Sequence, residues 1–142
     1  MTFRIPSVLL ALMLTSSFAF AATPTVVTVK ESGEGGGAMK IEMDKTELPA
    51  GAAVFKVSND AMTETHEMVL VHLKSADQKI AVLAGKHRID ESKLKSMGEV
   101  SHLKPGASGE LKVTLTPGSY MLLCNIKGHF EAGMYTKFTV IK

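Results

Sequence analysis

The stretch Cys124–Met134, which reads CNIKGHFEAGM, contains the only cysteine of the chain. His129 follows this cysteine after five residues, and Met134 follows after five more. A thiolate, an imidazole and a thioether can all bind a metal ion, and the two sulfur groups are soft donors. Gly128 and Gly133 come directly before the histidine and the methionine, and glycine tolerates the tight backbone that turns both side chains toward the sulfur. The stretch therefore predicts a metal-binding loop.

Strands are predicted on both sides of this loop. Tyr120, Leu122 and Cys124 alternate along the preceding run, which places Cys124 as the last inward-facing position of a strand. Short runs of strand character, separated by turn signals, also occur at residues 25–30, 39–44, 53–58, 67–73, 109–116, 118–124 and 135–141. About seven such strands predict an all-β fold, a β-sandwich. An open two-layer α+β sheet is the alternative.

One segment breaks the strand pattern. Ser75–Gln78 resembles a capping box, Ile80 and Leu83 give a short apolar helical face, and Gly85 is a natural stop. A second short helix is expected from Asp90 to Met97. We therefore predict a short helical insert at about 75–98 on the outside of the sandwich.

The N-terminus carries the pattern of a secretory signal peptide. Arg4 precedes an apolar run, and Ala19-Phe20-Ala21 fits the small-residue cleavage rule. We expect residues 1–21 to be a signal peptide and residues 22–142 to be one domain, periplasmic or secreted, although an uncleaved anchor is the alternative. The mature chain would have 121 residues, with 15 basic and 14 acidic side chains. This balance argues against nucleic-acid binding, and no later segment is apolar enough to span a membrane.

Export places the lone cysteine in an oxidising compartment, where it cannot form an internal disulfide. An intermolecular bridge, a reactive thiol, a bound metal or a small buried hydrophobe remain possible. The neighbouring histidine and methionine favour the metal.

A second nitrogen ligand has to come from elsewhere in the chain. His66 lies at a loop-to-strand junction, as Cys124 does, and is favoured over His102. His72 shares a strand with His66, about 20 Å away at about 3.3 Å per residue, so only one of the two can be a ligand. His87 lies in the predicted insert.

Two imidazoles, a thiolate and a weak axial thioether form the donor set of a copper site for electron transfer. Structural zinc sites use more cysteines and no methionine.

The run from Tyr120 to Met134, followed by Thr136-Lys-Phe-Thr-Val140, closely resembles the C-terminal copper loop of the cupredoxins, the plastocyanin/azurin-like blue copper proteins. Leu48–Asn59 and His66–Leu70 are similar to the strands that carry the first histidine ligand in this family. The spacing of the loop is closest to the rusticyanin-like and sulfocyanin-like members. The resemblance implies a Greek-key β-sandwich that holds one type 1 copper ion through His66, Cys124, His129 and Met134.

The resemblance also implies a function. Cupredoxins pass electrons through the second loop histidine, so we expect His129 to present an exposed ring edge within a docking patch that includes Ile126, Phe130 and Pro49-Ala50-Gly51. The partner would be a redox protein such as a c-type cytochrome or a copper oxidase or reductase, and the chain a monomer. Because four protein ligands leave no open metal position, an enzyme is not expected. Glu67 and Glu131, the nearest carboxylates, are interpreted as solvated.

Two other functions stay open at the level of sequence. Copper storage, delivery or resistance without electron transfer is the first, because Met39 with Met43, or Met62 near His66, could bind copper(I). Core packing explains the strand pair Met39 and Met43 better. A metal-free β-sandwich that binds protein or lipid is the second, and it leaves the lone thiol unexplained.

Overall fold

Two β-sheets pack face to face, and their strands follow the alternation of apolar residues in the sequence. The structure is a computed structural model that describes residues 23–142, so the expected signal peptide at residues 1–21 lies outside the described residues. The strands are β1 Thr25–Ser32, β2 Lys40–Met43, β3 Glu47–Pro49, β4 Gly51–Asn59, β5 His66–His72, β6 Val82–Leu83, β7 Arg88–Ile89, β8 Lys95–Leu103, β9 Ser108–Leu115, β10 Gly118–Leu123 and β11 Tyr135–Ile141.

The first sheet has the strand order β2-β1-β4-β9. Its central pair, β1 and β4, is parallel, and Glu31 lies opposite Asn59 at the end of that pair. The second sheet has the order β3-β11-β10-β5-β8, with β3 and β11 parallel and the other pairs antiparallel.

The main core fills the space between the two sheets. Alternate residues of each strand point inward, as Val27 and Val29 do on β1 and Tyr120 and Leu122 do on β10. Within residues 23–142 the only helical element is a single 3-10 turn at Glu91–Lys93. The all-β sandwich is therefore confirmed, and the α+β alternative is wrong. None of the described residues form a helix that is long and apolar enough to cross a membrane.

The predicted helical insert at about 75–98 is wrong. The segment instead forms turns, the two-stranded ribbon β6–β7, the 3-10 turn and the beginning of β8. The Gln78 side chain accepts a hydrogen bond from the Lys74 backbone N–H at 2.6 Å, which closes a turn rather than a helix cap. Tertiary packing explains the result, since Ile80, Ile89 and Leu94 contact the outer face of β5 and β10 in a second apolar cluster.

That second cluster explains the strong hydrophobicity of β5. Met68, Val69, Leu70 and Val71 are all fully buried, although successive residues of a strand point to opposite faces. One face packs on the main core and the other lies under the segment that follows β5. Both faces of the second sheet are therefore covered near the end where β10 runs into Cys124.

Candidate metal centre

Three potential ligands meet at one end of the sandwich. His66 is the first residue of β5, Cys124 directly follows β10, and His129 lies in the loop before β11. The His66 and His129 Nδ1 atoms are 3.2 Å apart, and the Cys124 Sγ is 3.4 Å from the His129 Nδ1. All three side chains are buried, and their ligand atoms lie within 4.8 Å of one another.

The His66 ring is fixed by its other nitrogen. Its Nε2 lies 3.2 Å from the carbonyl oxygen of Gly33 and can only donate to that acceptor. The proton on Nε2 leaves the lone pair of Nδ1 directed at the cluster, which is the arrangement that a histidine ligand requires.

Hydrogen bonds and burial have opposite effects on the ionisation of the Cys124 thiol. The backbone N–H groups of Ile126 and Glu67 donate hydrogen bonds to it, which favours the thiolate. Burial acts in the opposite direction and is the larger effect, so the pKa of the Cys124 thiol rises to about 12 in the metal-free chain. A bound metal ion must therefore displace the thiol proton.

Both imidazoles are held neutral. Burial is the main reason that the pKa of His66 and the pKa of His129 are lowered, and the neighbouring His66 lowers that of His129 further. Neutral rings with free lone pairs are the form that binds a metal.

Met134 closes the loop on the same core. Its side chain is fully buried and belongs to the cluster that contains Cys124. The Met134 N–H donates to the His129 carbonyl and its own carbonyl accepts from the Cys124 N–H, each at 3.0 Å. The glycines before His129 and Met134 behave as predicted, since Gly128 and Gly133 have φ angles of 84° and 96°, which only glycine adopts without strain.

The cluster fits a metal ion in both spacing and chemistry. Bonds of about 2.0–2.3 Å to nitrogen and sulfur place neighbouring ligands of one ion about 3–4 Å apart. The observed separations of 3.2 and 3.4 Å agree with this range. Two imidazoles, one cysteine sulfur and a buried thioether nearby match the donors that copper uses in electron-transfer sites.

A glycine-rich turn covers the two histidines from outside. The Glu34 carboxylate accepts hydrogen bonds from Met62 and Thr63, and Glu64 accepts one from the Gly35 N–H at 3.2 Å. Residues 33–37 are thereby tied to the loop that leads into His66. Beneath the turn lies a surface recess of about 520 Å³, lined by Gly35, Gly36, Gly37, Met39, Glu64, Lys127, Gly128, His129 and Ala132.

This recess corrects two expectations about the docking patch. His129 is only 6% exposed, so its ring edge is not broadly presented at the surface but borders the recess. Pro49-Ala50-Gly51 lies at the opposite end of the sandwich, because Pro49 pairs with Ile141 at the far end of β11. The glycine-rich turn lines the same recess as His129.

The segment between β5 and β8 holds the metal-binding loop from the other side. The Asn125 side chain accepts from the Ile89 N–H at 2.6 Å and donates to the Ile89 carbonyl at 3.1 Å and to Glu91 at 2.6 Å. The Gly128 N–H donates to the His87 carbonyl at 2.8 Å, and the His87 ring pairs with Glu131 at 2.9 Å. Asn125, which directly follows Cys124, is therefore held through both the oxygen and the nitrogen of its side-chain amide.

The sequence agrees with one known family. The profile of the sulfocyanin (SoxE) domain matches residues 14–142. This chain belongs to the sulfocyanin family. Sulfocyanins are cupredoxins, a class of blue copper proteins that carry electrons and are not enzymes. No curated protein sequence matches the chain.

Solved structures agree on the fold. Auracyanin A, a "blue" copper protein from the green thermophilic photosynthetic bacterium Chloroflexus aurantiacus, is 19% identical to this chain and has a TM-score of 0.54. The match covers 82% of this chain and 99% of auracyanin A. Rusticyanin from Thiobacillus ferrooxidans is 19% identical over 84% and 79% of the two chains, with a TM-score of 0.59. Azurin (Az-iso2) from Methylomonas sp. strain J is 15% identical over 84% and 100%, with a TM-score of 0.56.

The other three histidines are not part of the cluster. His102 is exposed near the end of β8, and His87 is exposed in the turn between β6 and β7. His72 stacks on Tyr120, with ring centroids 4.5 Å apart.

Two acidic residues near the cluster, Glu67 and Glu31, differ from what the sequence predicted. Glu67 is half-buried rather than solvated, and its carboxylate accepts the backbone N–H of Asn125. Glu31 is fully buried at the same end. The predicted first strand stopped at residue 30, although the alternation Val27, Val29, Glu31 extends the inward face by one more position.

Proposed function

We propose that this chain is an exported electron carrier that holds one type 1 copper ion through His66, Cys124, His129 and Met134. The observation that carries the proposal is the buried convergence of two Nδ1 atoms and one sulfur within 4.8 Å. Bound copper would supply one-electron chemistry, as Cu(I) and Cu(II) alternate.

The chain's own residues would keep the site rigid and dry. Gly33 holds the His66 ring, the N–H groups of Ile126 and Glu67 hold the sulfur, and Asn125 fixes the start of the loop. Ligands that are held in place limit the rearrangement between the two oxidation states, and burial excludes water from the site. Both properties favour fast electron transfer over substrate chemistry.

His129 would be the route to the redox partner. Its ring is the ligand that borders the recess under the glycine-rich turn, and the recess walls contain four glycines without side chains. A partner such as a c-type cytochrome or a copper oxidase or reductase could approach closely there, in a small and short-lived interface. After removal of residues 1–21, the mature domain would span residues 22–142. It would act as a monomer in the periplasm or outside the cell.

The alternative, copper storage or delivery without electron transfer, finds less support. Met39 is buried in the main core and Met43 packs against it, so core packing accounts for both. Met62 is 85% exposed and lies outside the buried cluster.

The test is the visible absorption of the purified protein after addition of copper(II). We expect an intense thiolate-to-copper band in the wild type, its loss in Cys124→Ala and its retention in the matched control His102→Ala. Reduction by one electron per copper should bleach the band, and air or ferricyanide should restore it. A copper-loaded protein without the band, or a band that survives in Cys124→Ala, would contradict the electron-transfer function and favour copper handling through other residues.

A further inference from the structure

Glu31 is a buried acid that the proposed function does not use. Its side chain is 0% exposed, and neither carboxyl oxygen has a hydrogen-bond partner among the described residues. An ionised carboxylate without a partner in such a place is strongly disfavoured, so a stable fold contains this group in its protonated form or beside a positive charge.

The position of Glu31 relates it to the metal centre. Glu31 points inward from the end of β1, and two residues later the Gly33 carbonyl fixes the His66 ring. Burial is the main reason that the pKa of the Cys124 thiol is raised, and the Glu31 carboxylate raises it further.

Among residues 23–142, the charged groups on the elements packed against Glu31 offer it no compensating cation. Those that face the carboxyl are Glu67 on β5 and Cys124 after β10, and both are negative when ionised. His66 and His129 lie at the same end and are held neutral. The remaining charged side chains on the neighbouring elements are exposed or accept hydrogen bonds elsewhere: Lys30, Glu34, Lys40, Glu42, Lys56, Asp60, Glu64 and Lys127.

We propose that Glu31 is the redox-linked proton acceptor of the metal centre. When the site accepts one electron from its redox partner, the Glu31 carboxylate takes up one proton from solvent, and both leave again on oxidation. The inference rests on the proposed copper site.

The physical reason is the change in charge. The oxidised site carries one more positive charge than the reduced site, and a nearby positive charge stabilises a carboxylate. Burial, reinforced by Glu67, raises the pKa of Glu31 to about 8 without metal. The oxidised site lowers this value toward neutrality, so that both protonation states become accessible. Coupling between two binding events is reciprocal, and the reduction potential must therefore fall as the pH rises through this range.

The experiment measures the reduction potential of the copper-loaded protein against pH, from about pH 5 to about pH 9. Glu31→Gln keeps the shape of the side chain and removes its titration. Glu42→Gln is the matched control, because Glu42 is exposed on β2 beside Ile41, the partner of Glu31 in the sheet. We expect a falling potential in the wild type and in Glu42→Gln, and no dependence on pH in Glu31→Gln.

A second readout follows the proton itself. The reduced-minus-oxidised infrared difference spectrum of the wild type should contain a carboxylic acid C=O band that shifts when glutamate is labelled with ¹³C. The band should be absent in Glu31→Gln and present in Glu42→Gln. This measurement on the labelled wild type decides the question even if Glu31→Gln does not fold.

The outcomes separate the inference from the proposed function. If the wild type shows no intense visible band with copper, the proposed function fails and the inference fails with it. If the band is present but the potential does not change with pH, or the labelled infrared band is missing, only the inference is overturned. A pH dependence that persists in Glu31→Gln assigns the proton to another group and overturns it as well.

Discussion

The metal end and the aromatic half of the sandwich, built from the same two sheets, bury different kinds of side chain. At the metal end, defined by Glu31, Asn59, His66, Cys124, Asn125 and His129, the core contains every buried polar side chain of residues 23–142 apart from Tyr120. In the aromatic half, defined by Phe55, His72, Tyr120 and Phe138, rings pack against one another with centroid distances of 4.5–5.8 Å. Burying polar groups reduces stability, whereas aromatic packing increases it. The aromatic half therefore stabilises a fold whose other end is built for ligands.

The largest expected effect comes from the aromatic half. Phe55→Ala removes a fully buried ring that contacts Phe138, and should lower the free energy of unfolding by about 3–5 kcal/mol. Urea unfolding of the metal-free protein measures this loss. The copper-loaded variant should keep the visible band of the wild type at low temperature, and an altered band would show that the two halves are not independent.

The second effect belongs to Glu31 in the metal-free protein. Its folded pKa is about 8 against an ordinary value of 4.5, so its contribution to stability is fully present below about pH 4.5 and is lost as the pH rises to about 8. The loss amounts to about 1.4 kcal/mol per pH unit inside that window. Between about pH 5 and pH 7, the wild type should therefore lose roughly 2–3 kcal/mol relative to Glu31→Gln.

Unfolding by urea at several pH values measures this difference directly. Because both proteins share His66, His129 and Glu67, the titrations of those groups cancel in the comparison. Parallel pH profiles for the two proteins would mean that Glu31 is not buried as described.

The third effect concerns the attachment of the loop at the metal end. Asn125→Ala removes the hydrogen bonds to Ile89 and Glu91 and leaves the Ile89 N–H without its partner, which should cost about 1–3 kcal/mol. Hydrogen exchange at the Ile89 amide should become much faster. Asn59 offers a control at the same end, since its side chain holds Glu64 and Leu103 and does not contact the ribbon. Equal exchange at Ile89 in the wild type and in Asn125→Ala would contradict the anchoring role.

The smallest effect returns to the aromatic half. Tyr120→Phe keeps the stack with His72 and Phe138. It loses the hydroxyl, which donates to the Thr116 carbonyl at 2.8 Å and accepts from the Thr116 N–H at 3.2 Å. We expect a loss of about 1 kcal/mol in the free energy of unfolding. A much larger loss would show that the hydroxyl, and not the ring, dominates the contribution of Tyr120.

The strands and the histidine cluster were predictable from sequence because both depend on local rules. Alternation of side chains along β10 placed Cys124 inward at the strand end, and the position of His66 at the start of β5 placed it at the same end. The spacing of about 3.3 Å per residue was sufficient to separate His66 from His72.

The segment between β5 and β8 was not predictable in this way. Its capping box and its 3.6-residue spacing are local signals for a helix, but Ile80 and Ile89 are held instead by the outer face of β5 and β10. Tertiary contacts decided the conformation, and no local pattern contains them. The burial of Glu31 was not predictable for a related reason. An acidic residue is normally taken as the end of an apolar alternation, and only the folded structure shows that this one is buried.

The positions of the four proposed ligands have a consequence for the order in which the protein matures. Three of them lie between Cys124 and Met134, and the loop that carries them is closed by β11, the last strand, which pairs with both β10 and β3. The binding site therefore stays incomplete until β11 has been translated and paired. Metal capture then depends on a finished sandwich, because only the folded protein brings the distant His66 next to Cys124 and His129.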